Sequence, residues 1–343
     1  MRKLACAKRI QEIKKIPDAD LICAYRVDGW WVVDAVGKYR VGDLAIYCEI
    51  DSWIPNSIAP FLSKGKEPRI YDGIKGERLR TVKLRGQLSQ GLLLPLDRRM
   101  SGNLLPTNRR CVSEGEDVSE ELGVIKWEAP IPANLAGEVR GSFPGLIPKT
   151  DEERLQNLTS EFEEWKDSDS RWEVTEKLDG SSMTVYVLEE DEGVCSRNLN
   201  LKETPSNSLW TVTRREGLIE KIRSSGKNLA LQGELIGEGI QKNRYNLKGH
   251  DFFVYKIYDI NEGRFFTPQE RNEFVSKFEI KHVPVLDNSA SLLENVNDML
   301  EFAEGKTFLG SGAEREGLVW KNVSLPGLSF KTISNKFLLK GGD

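Results

Sequence analysis

The chain has 343 residues, with 49 Lys and Arg against 53 Asp and Glu, a formal net charge of −4 and 39% hydrophobic residues. That length can hold two domains, each burying its own core, and that charge excludes nonspecific adhesion to nucleic acid by bulk positive charge. No apolar run approaches the about 18 residues of a membrane span. Five scattered cysteines without a C-x-x-C pair fit reduced thiols and not a disulfide framework or a zinc site, and two histidines, His250 and His282, argue against Ser-His and Cys-His triads and against a metal site needing several His ligands. Carboxylates and lysines are left to carry any chemistry. The opening MRKLACAKRIQEIKK places charges where a signal peptide needs an apolar stretch, so the expected compartment is the cytoplasm.

The first hundred residues read as short strands with turn signals. Ile22–Val27 and Trp30–Val36 flank Asp28-Gly29, a tight hairpin turn. Val41-Gly42-Asp43 is another turn before a strand over Leu44–Ile50, and Arg78–Leu84 and Gly91–Leu96 supply further strands. This pattern predicts a small barrel over 1–100. Between Lys64 and Arg85 eight basic residues oppose three acidic ones, a local patch able to meet phosphates. Residues 101–146, rich in Gly, Pro, Asn and Ser, read as an irregular connector.

From 147 to 343 strands and helices alternate, which predicts a larger α+β domain. Thr150 and Glu153 suggest a capping box before an amphipathic helix carrying Leu155, Leu158, Phe162 and Trp165. Strands follow at Trp172–Lys177 and Met183–Leu188, then a helix over Leu209–Arg223 with Ser208 as cap and Gly226 as stop. Strands at Leu229–Ile236 and Phe252–Ile260 come next. A helix starts at Thr267-Pro268 with Glu270 completing its cap, and another runs over Leu292–Ala303 to Gly305. Two strands, Gly317–Lys321 and Leu328–Ile333, close the chain.

The sharpest chemical feature is Glu176-Lys177-Leu178-Asp179-Gly180. A lysine where a strand meets a turn can be held rigidly with its amine in a cleft, and it becomes a nucleophile once deprotonated. Its plain structural reading is a strand-end lysine. Period-two alternation puts Glu234 on the face away from Leu229, Leu231, Gly233 and Leu235, and Glu316 opens another strand. With Asp179 these are three carboxylates suited to Mg²⁺ and its waters, or else solvated acids. Lys331 could neutralise a phosphate or guard a strand edge. Phe253 and Tyr255 could stack on a base or fill a core.

The order of these motifs carries a resemblance. K-x-D-G, Ser196-Arg197-Asn198, G-E-L-I-G, F-V-Y-K-I-Y-D-I, E-G-L-V-W-K and S-F-K-x-I-S, from Lys177 to Lys336, resemble the covalent nucleotidyltransferases. In the first hundred residues Ile16-Pro17-Asp18-Ala19-Asp20, Asp28-Gly29-Trp30, Val41-Gly42-Asp43, Glu49-Ile50-Asp51-Ser52, Arg80–Gly86 and Ser89–Leu92 resemble the OB domain of one group, the ATP-dependent RNA ligases of the Naegleria and Deinococcus type. Ile147–Arg154 resembles that group's lead-in segment. The resemblance implies an OB-fold barrel followed by a nucleotidyltransferase domain of antiparallel sheets flanked by helices. It implies Lys177 as the adenylated nucleophile and Asp179, Glu234 and Glu316 around a hydrated Mg²⁺ or Mn²⁺. Lys331 would meet the α-phosphate and lower the Lys177 pKa. ATP would be bound by Lys149, Arg154, Glu176, Arg197, Phe253 or Tyr255, Glu316, Lys331 and Lys336. The last motif departs from the group's K-x-K, with Ile333 in the second lysine's place. The implied substrate is RNA with 3′-hydroxyl and 5′-phosphate ends in a nicked duplex, with no membrane and no obligate protein partner. The alternatives are a DNA ligase or capping enzyme, which place their OB domain last, and a noncatalytic OB-fold RNA-binding protein.

Overall fold

The computed structural model describes residues 3–96, 105, 110–128 and 138–340. Two compact units emerge, Met1–Pro130 with Gln156–Thr159, and Ile131–Leu155 with Ser160–Asp343. The stretch expected as a connector is shared between them. Ser119–Leu122 is a short helix, and Ile125–Lys126 pairs with Ser52–Trp53 in the first unit. Val139–Ser142 joins the second unit's larger sheet. Residues 101–104, 106–109 and 129–137 of that stretch lie outside the described residues.

The first unit is built of antiparallel strands. Ala5–Arg9, Leu44–Cys48 and Leu92–Pro95 form one sheet, and Glu12–Lys15, Ile22–Val27 and Trp30–Ala35 another. The Asp28-Gly29 hairpin forms as expected, with Val27 opposite Trp30 and Asp28 at φ 49. The core gathers Leu4, Ile46, Ile54, Leu94, Val118 and Val124. The strand expected over Arg78–Leu84 is broken. Ile74–Arg78 pairs with Trp53–Pro55, Leu79 turns inward, and Val82–Leu84 begins a separate hairpin with Gln87–Ser89. Arg85 and Gly86, both left-handed, make that hairpin's two-residue turn.

The second unit stacks two sheets. The larger has seven strands in the order Val139–Ser142, Leu199–Leu201, Asp191–Cys195, Ser181–Leu188, Leu229–Gly237, His250–Asp259 and Arg264–Phe265. Its outer face buries Val185, Leu231, Leu235, Phe252, Val254 and Ile257 with the helices Ser208–Glu216, Leu218–Ser224 and Pro268–Lys277. The smaller sheet has five strands, Glu153–Arg154, Ser329–Ile333, Gly317–Asn322, Trp172–Lys177 and Val285–Ala290. Its outer face carries an aromatic cluster in which Phe330 touches Trp165, Trp172 and Trp320, with ring centroids 5.0–6.0 Å apart.

Three helix expectations change. Glu153 and Arg154 pair in parallel with Phe330 and Lys331, so the predicted helix starts only at Thr159, and sheet pairing overrides the capping signal of Thr150 and Glu153. The span Leu209–Arg223 is two helices because Gly217 is left-handed, and Asn207, not Ser208, caps the first. Val296–Phe302 is shorter than expected and is capped by Asn295. The helix Pro268–Lys277 has the predicted Thr267–Glu270 capping box.

Candidate active site

The inner faces of the two sheets carry the polar residues of the second unit. In the smaller sheet, Lys177 lies opposite Gly317 and Thr175 opposite Val319, which faces Lys331 on the next strand, which in turn faces Arg154. Period-two alternation therefore puts Lys177, Lys331 and Arg154 on one face. In the larger sheet, Glu234 lies opposite Ser182 on one side and Phe253 on the other. The register slips between Gln232 and Gly233, which face Lys256 and Val254, and Tyr255 is the extra residue. This bulge lets Tyr255 and Lys256 both leave the apolar face, although they are adjacent in sequence.

Lys177 Nζ donates to Glu316 Oε1 at 2.7 Å. Burial by itself would lower this amine's pKa, but Glu316, Glu234 and Asp179 together hold it above its ordinary value. The expectation of a lowered Lys177 is thus overturned for the protein without ligands: three carboxylates outweigh any nearby cation, and Lys331 Nζ sits 3.6 Å from Asp151 instead. Burial first, and Glu316 second, push Asp179 up to about 7. Burial pushes Glu234 up to about 8, with Glu316 and Asp179 adding to the rise and Lys177 opposing it.

The motif glycines are sterically required. A Cβ on Gly180 would stand 2.4 Å from Leu235 O and 2.9 Å from Glu234 Cγ, and one on Gly317 would stand 2.2 Å from Thr332 O. Gly180 also donates its N–H to the Glu234 carboxylate. Strand ends that pack this closely hold the lysine and the acids together.

The lead-in segment laces across both sheets. Gln232 Nε2 donates to Pro148 O at 2.8 Å, Lys149 to Asn198 at 2.7 Å, and Thr150 shares a 2.8 Å hydrogen bond with Tyr255. Asp151 meets both Arg197, at 3.2 Å, and Lys331. Glu152 accepts from Lys256 at 2.7 Å and from Ser329 at 2.5 Å. Thus Lys149, Arg154, Arg197, Tyr255 and Lys331, far apart in sequence, are brought into one neighbourhood. Phe253 lies beside Tyr255 in a cluster with Leu178, Ile236 and Tyr245. Glu176 is buried, which raises its pKa, while the Thr307 hydroxyl and the Phe308 N–H, which donates at 2.9 Å, oppose the rise. Lys336 is not brought in: it is 61% exposed and paired with Glu304 at 2.7 Å.

Among the described residues, no three His, Cys, Asp or Glu side chains stand close enough to chelate an ion directly. The crowded acids Asp179, Glu234 and Glu316 instead suit a cation that keeps its waters. Motif reading placed Thr150, Asp151 and Glu152 in the lead-in segment and Lys256 in a motif without giving any of them a role in the site, and it missed Arg244 and Tyr245. The only signals were the charged run Lys149–Arg154 and a lysine breaking the alternation of Phe252–Ile257.

A family model described as RNA ligase matches residues 170–337, and one described as an OB-fold domain matches residues 4–96. The Naegleria gruberi RNA ligase with PPi is 45% identical, with 100% of each chain covered and a TM-score of 0.90. The chain belongs to the RNA ligase family. Other similar RNA ligase structures are a lysine-to-alanine mutant from Naegleria gruberi with ATP and Mn, 45% identical over 98% of each chain with a TM-score of 0.89, and a glutamate-to-alanine mutant with ATP and Mn, 46% identical over 100% of each chain with a TM-score of 0.90. No curated protein sequence matches this RNA ligase. Its α+β fold, an OB-fold domain before a nucleotidyltransferase domain, is the expected one. Among its described residues no helix is long and apolar enough to cross a membrane.

Proposed function

We propose that this RNA ligase uses ATP to seal 3′-hydroxyl and 5′-phosphate ends of RNA, at nicks in a duplex, through an adenylate on Lys177. The observation that carries the reading is the Lys177 amine fixed 2.7 Å from Glu316, with Glu234 and Asp179 raised beside it and Lys331 on the same sheet face.

In the first step Lys177 Nζ, having lost a proton, forms a bond to the α-phosphorus while the bond to the β-phosphate oxygen breaks and pyrophosphate leaves. In the second, a 5′-phosphate oxygen attacks the same phosphorus and the Lys177 bond breaks, leaving AMP on the RNA end. In the third, the 3′-hydroxyl attacks the 5′-phosphate and AMP departs with the bridging oxygen. Asp179, Glu234 and Glu316 would hold a hydrated Mg²⁺ or Mn²⁺, whose charge offsets the acids that keep Lys177 protonated and favours the neutral amine. Lys331 and Arg154 neutralise charge on the phosphates, Lys149 and Arg197 bind at the rim, and Phe253 or Tyr255 stacks on adenine. Glu176 is a further nucleotide-binding residue of the site. Lys336 would have to leave Glu304 to take part.

In the first unit Arg80, Lys83 and Arg85 are exposed on and beside the Val82–Ser89 hairpin. Arg69, Lys75 and Arg78 of the same stretch have acidic neighbours in Glu77, Glu67 and Asp51. The exposed three supply the duplex-gripping charge of the OB domain. Incubation with α-labelled ATP and divalent metal, then denaturing electrophoresis, tests the reading. Wild type retains label and Lys177→Ala has none; a wild type that stays unlabelled ends the proposal. Sealing of nicked duplexes with RNA or DNA on the 3′-hydroxyl side then tests the substrate.

A further inference from the structure

Past the end of the strand Leu229–Gly237, which carries Glu234, the loop to His250 takes an expensive path. Gln241, Lys242 and Asn243 are three successive non-glycine residues with positive φ, at 41°, 60° and 46°, and Asn246 is another at 53°. Each such residue costs of order 1 kcal/mol or more unless its surroundings enforce it. Here they do: the Asn243 side chain donates to Leu247 O at 2.8 Å and accepts from Leu247 N at 3.1 Å. Tyr245 is buried, and its hydroxyl accepts from Asp179 N at 2.6 Å.

The path delivers Arg244. Its Nε donates to Asp179 Oδ2 at 3.0 Å, and its guanidinium carbon lies 4.4 Å from the centroid of the Phe337 ring. A planar cation backed by an aromatic ring and pinned through Nε is fixed in orientation. Among the described residues its two terminal nitrogens have no protein partner, and the side chain is 22% exposed. Exposed Lys242 and Lys248 on the same loop add positive charge. A guanidinium held through Nε, with its outer fork free, matches two oxygens of a phosphate.

We propose that Arg244 is a substrate-binding residue of the site, with its outer fork gripping a phosphate beside Lys177. The inference rests on the ligase reading. Two sources share that chemistry, the pyrophosphate portion of ATP and the 5′-phosphate of the RNA. Lys331 and Arg154 share the Lys177 face of the smaller sheet, and Arg244 reaches Asp179 from the loop after the Glu234 strand of the larger one, so both sheets bring cations to the site, as a reaction with separate entering and leaving phosphates needs.

The test follows R244Q through separate steps. The first is label transfer from α-labelled ATP to the enzyme, together with its reversal by inorganic pyrophosphate. The second is AMP transfer from purified enzyme-adenylate to a 5′-phosphorylated nick. The third is sealing of a pre-adenylated nick, as the control. A loss of about 10²-fold in the first step assigns the fork to pyrophosphate, and the same loss in the second alone assigns it to the RNA phosphate. R244K, which keeps the charge but not the fork, should recover only part of either. The inference is overturned if R244Q stays within about twofold of wild type at both steps, or if all three assays, the control included, fall together. If R244Q has a lowered Tm, the same outcomes are read from R244K. Wild-type labelling separates the two ideas: if wild type labels and R244Q behaves like it, only the role of Arg244 fails.

Discussion

Two charged clusters share the inner face of the smaller sheet, and they behave oppositely. At the strand end, Lys177 meets Glu316, Glu234 and Asp179, with Arg244 behind Asp179. Further along the same strand, Glu173 is bonded by Arg271, lies 3.6 Å from Lys321, and is fully buried, as are Arg271 and Lys321 to within 2%. Arg271 Nε also donates to His282 at 2.7 Å. The first cluster has more acids than cations, so Lys177 is held up, and burial first, with the neighbouring acids after it, pushes Asp179 and Glu234 up. The second has more cations, and Lys321 is pushed down to about 7 by burial and then by Arg271, with Glu173 opposing. The sign of the local excess, not the residue types, separates a site waiting for a cation from a scaffold that already contains its own.

The strongest way to break this comparison is Glu173→Ala. It leaves Arg271 and Lys321 buried without their counter-charge and should cost about 3–5 kcal/mol in chemical denaturation. A loss under about 1 kcal/mol would mean the cluster is not a scaffold. Glu234→Gln should do the reverse, slowing label transfer from ATP about 10²–10³-fold while leaving Tm unchanged, because a neutral amide of the same shape replaces a carboxylate that burial already pushes up to about 8. A lower Tm with normal labelling would contradict the assignment.

A subtler test uses pH. Lys321 titrates near about 7 in the folded protein and near about 10.4 unfolded. Between these values the unfolded chain holds more protons, so stability rises with pH, by at most about 1.4 kcal/mol per unit. It is lost as pH falls through about 7. Lys321→Met should flatten this rise; denaturation at several pH values in that window checks it, and an unchanged slope would assign the dependence elsewhere. The smallest effect is a control away from both clusters. Thr267→Ala removes the cap of the Pro268–Lys277 helix and should cost about 1 kcal/mol, with label transfer by the folded protein unaffected.

Legibility followed the range of the interaction. The strands Trp172–Lys177 and Leu229–Gly237, and the capping box at Thr267, rest on alternation and on contacts within four residues, and the sequence displays them. Thr150 and Glu153 carried an equally good local signal and misled, because a strand partner about 180 residues away at Phe330 and Lys331 took the backbone hydrogen bonds that a helix would have used. Likewise Asp151, Glu152 and Lys256 had no role in the sequence reading, and the lead-in segment and the bulge at Tyr255 brought them to partners on distant strands.

From the sequence alone came the order of the domains and the lysine and carboxylate motifs, since each depends only on residue type and spacing. Tertiary structure decided what charge state Lys177 has, where Lys336 points, and that Arg244 stands behind Asp179. Electrostatic energies depend on distance and burial across strands, and a linear pattern contains neither.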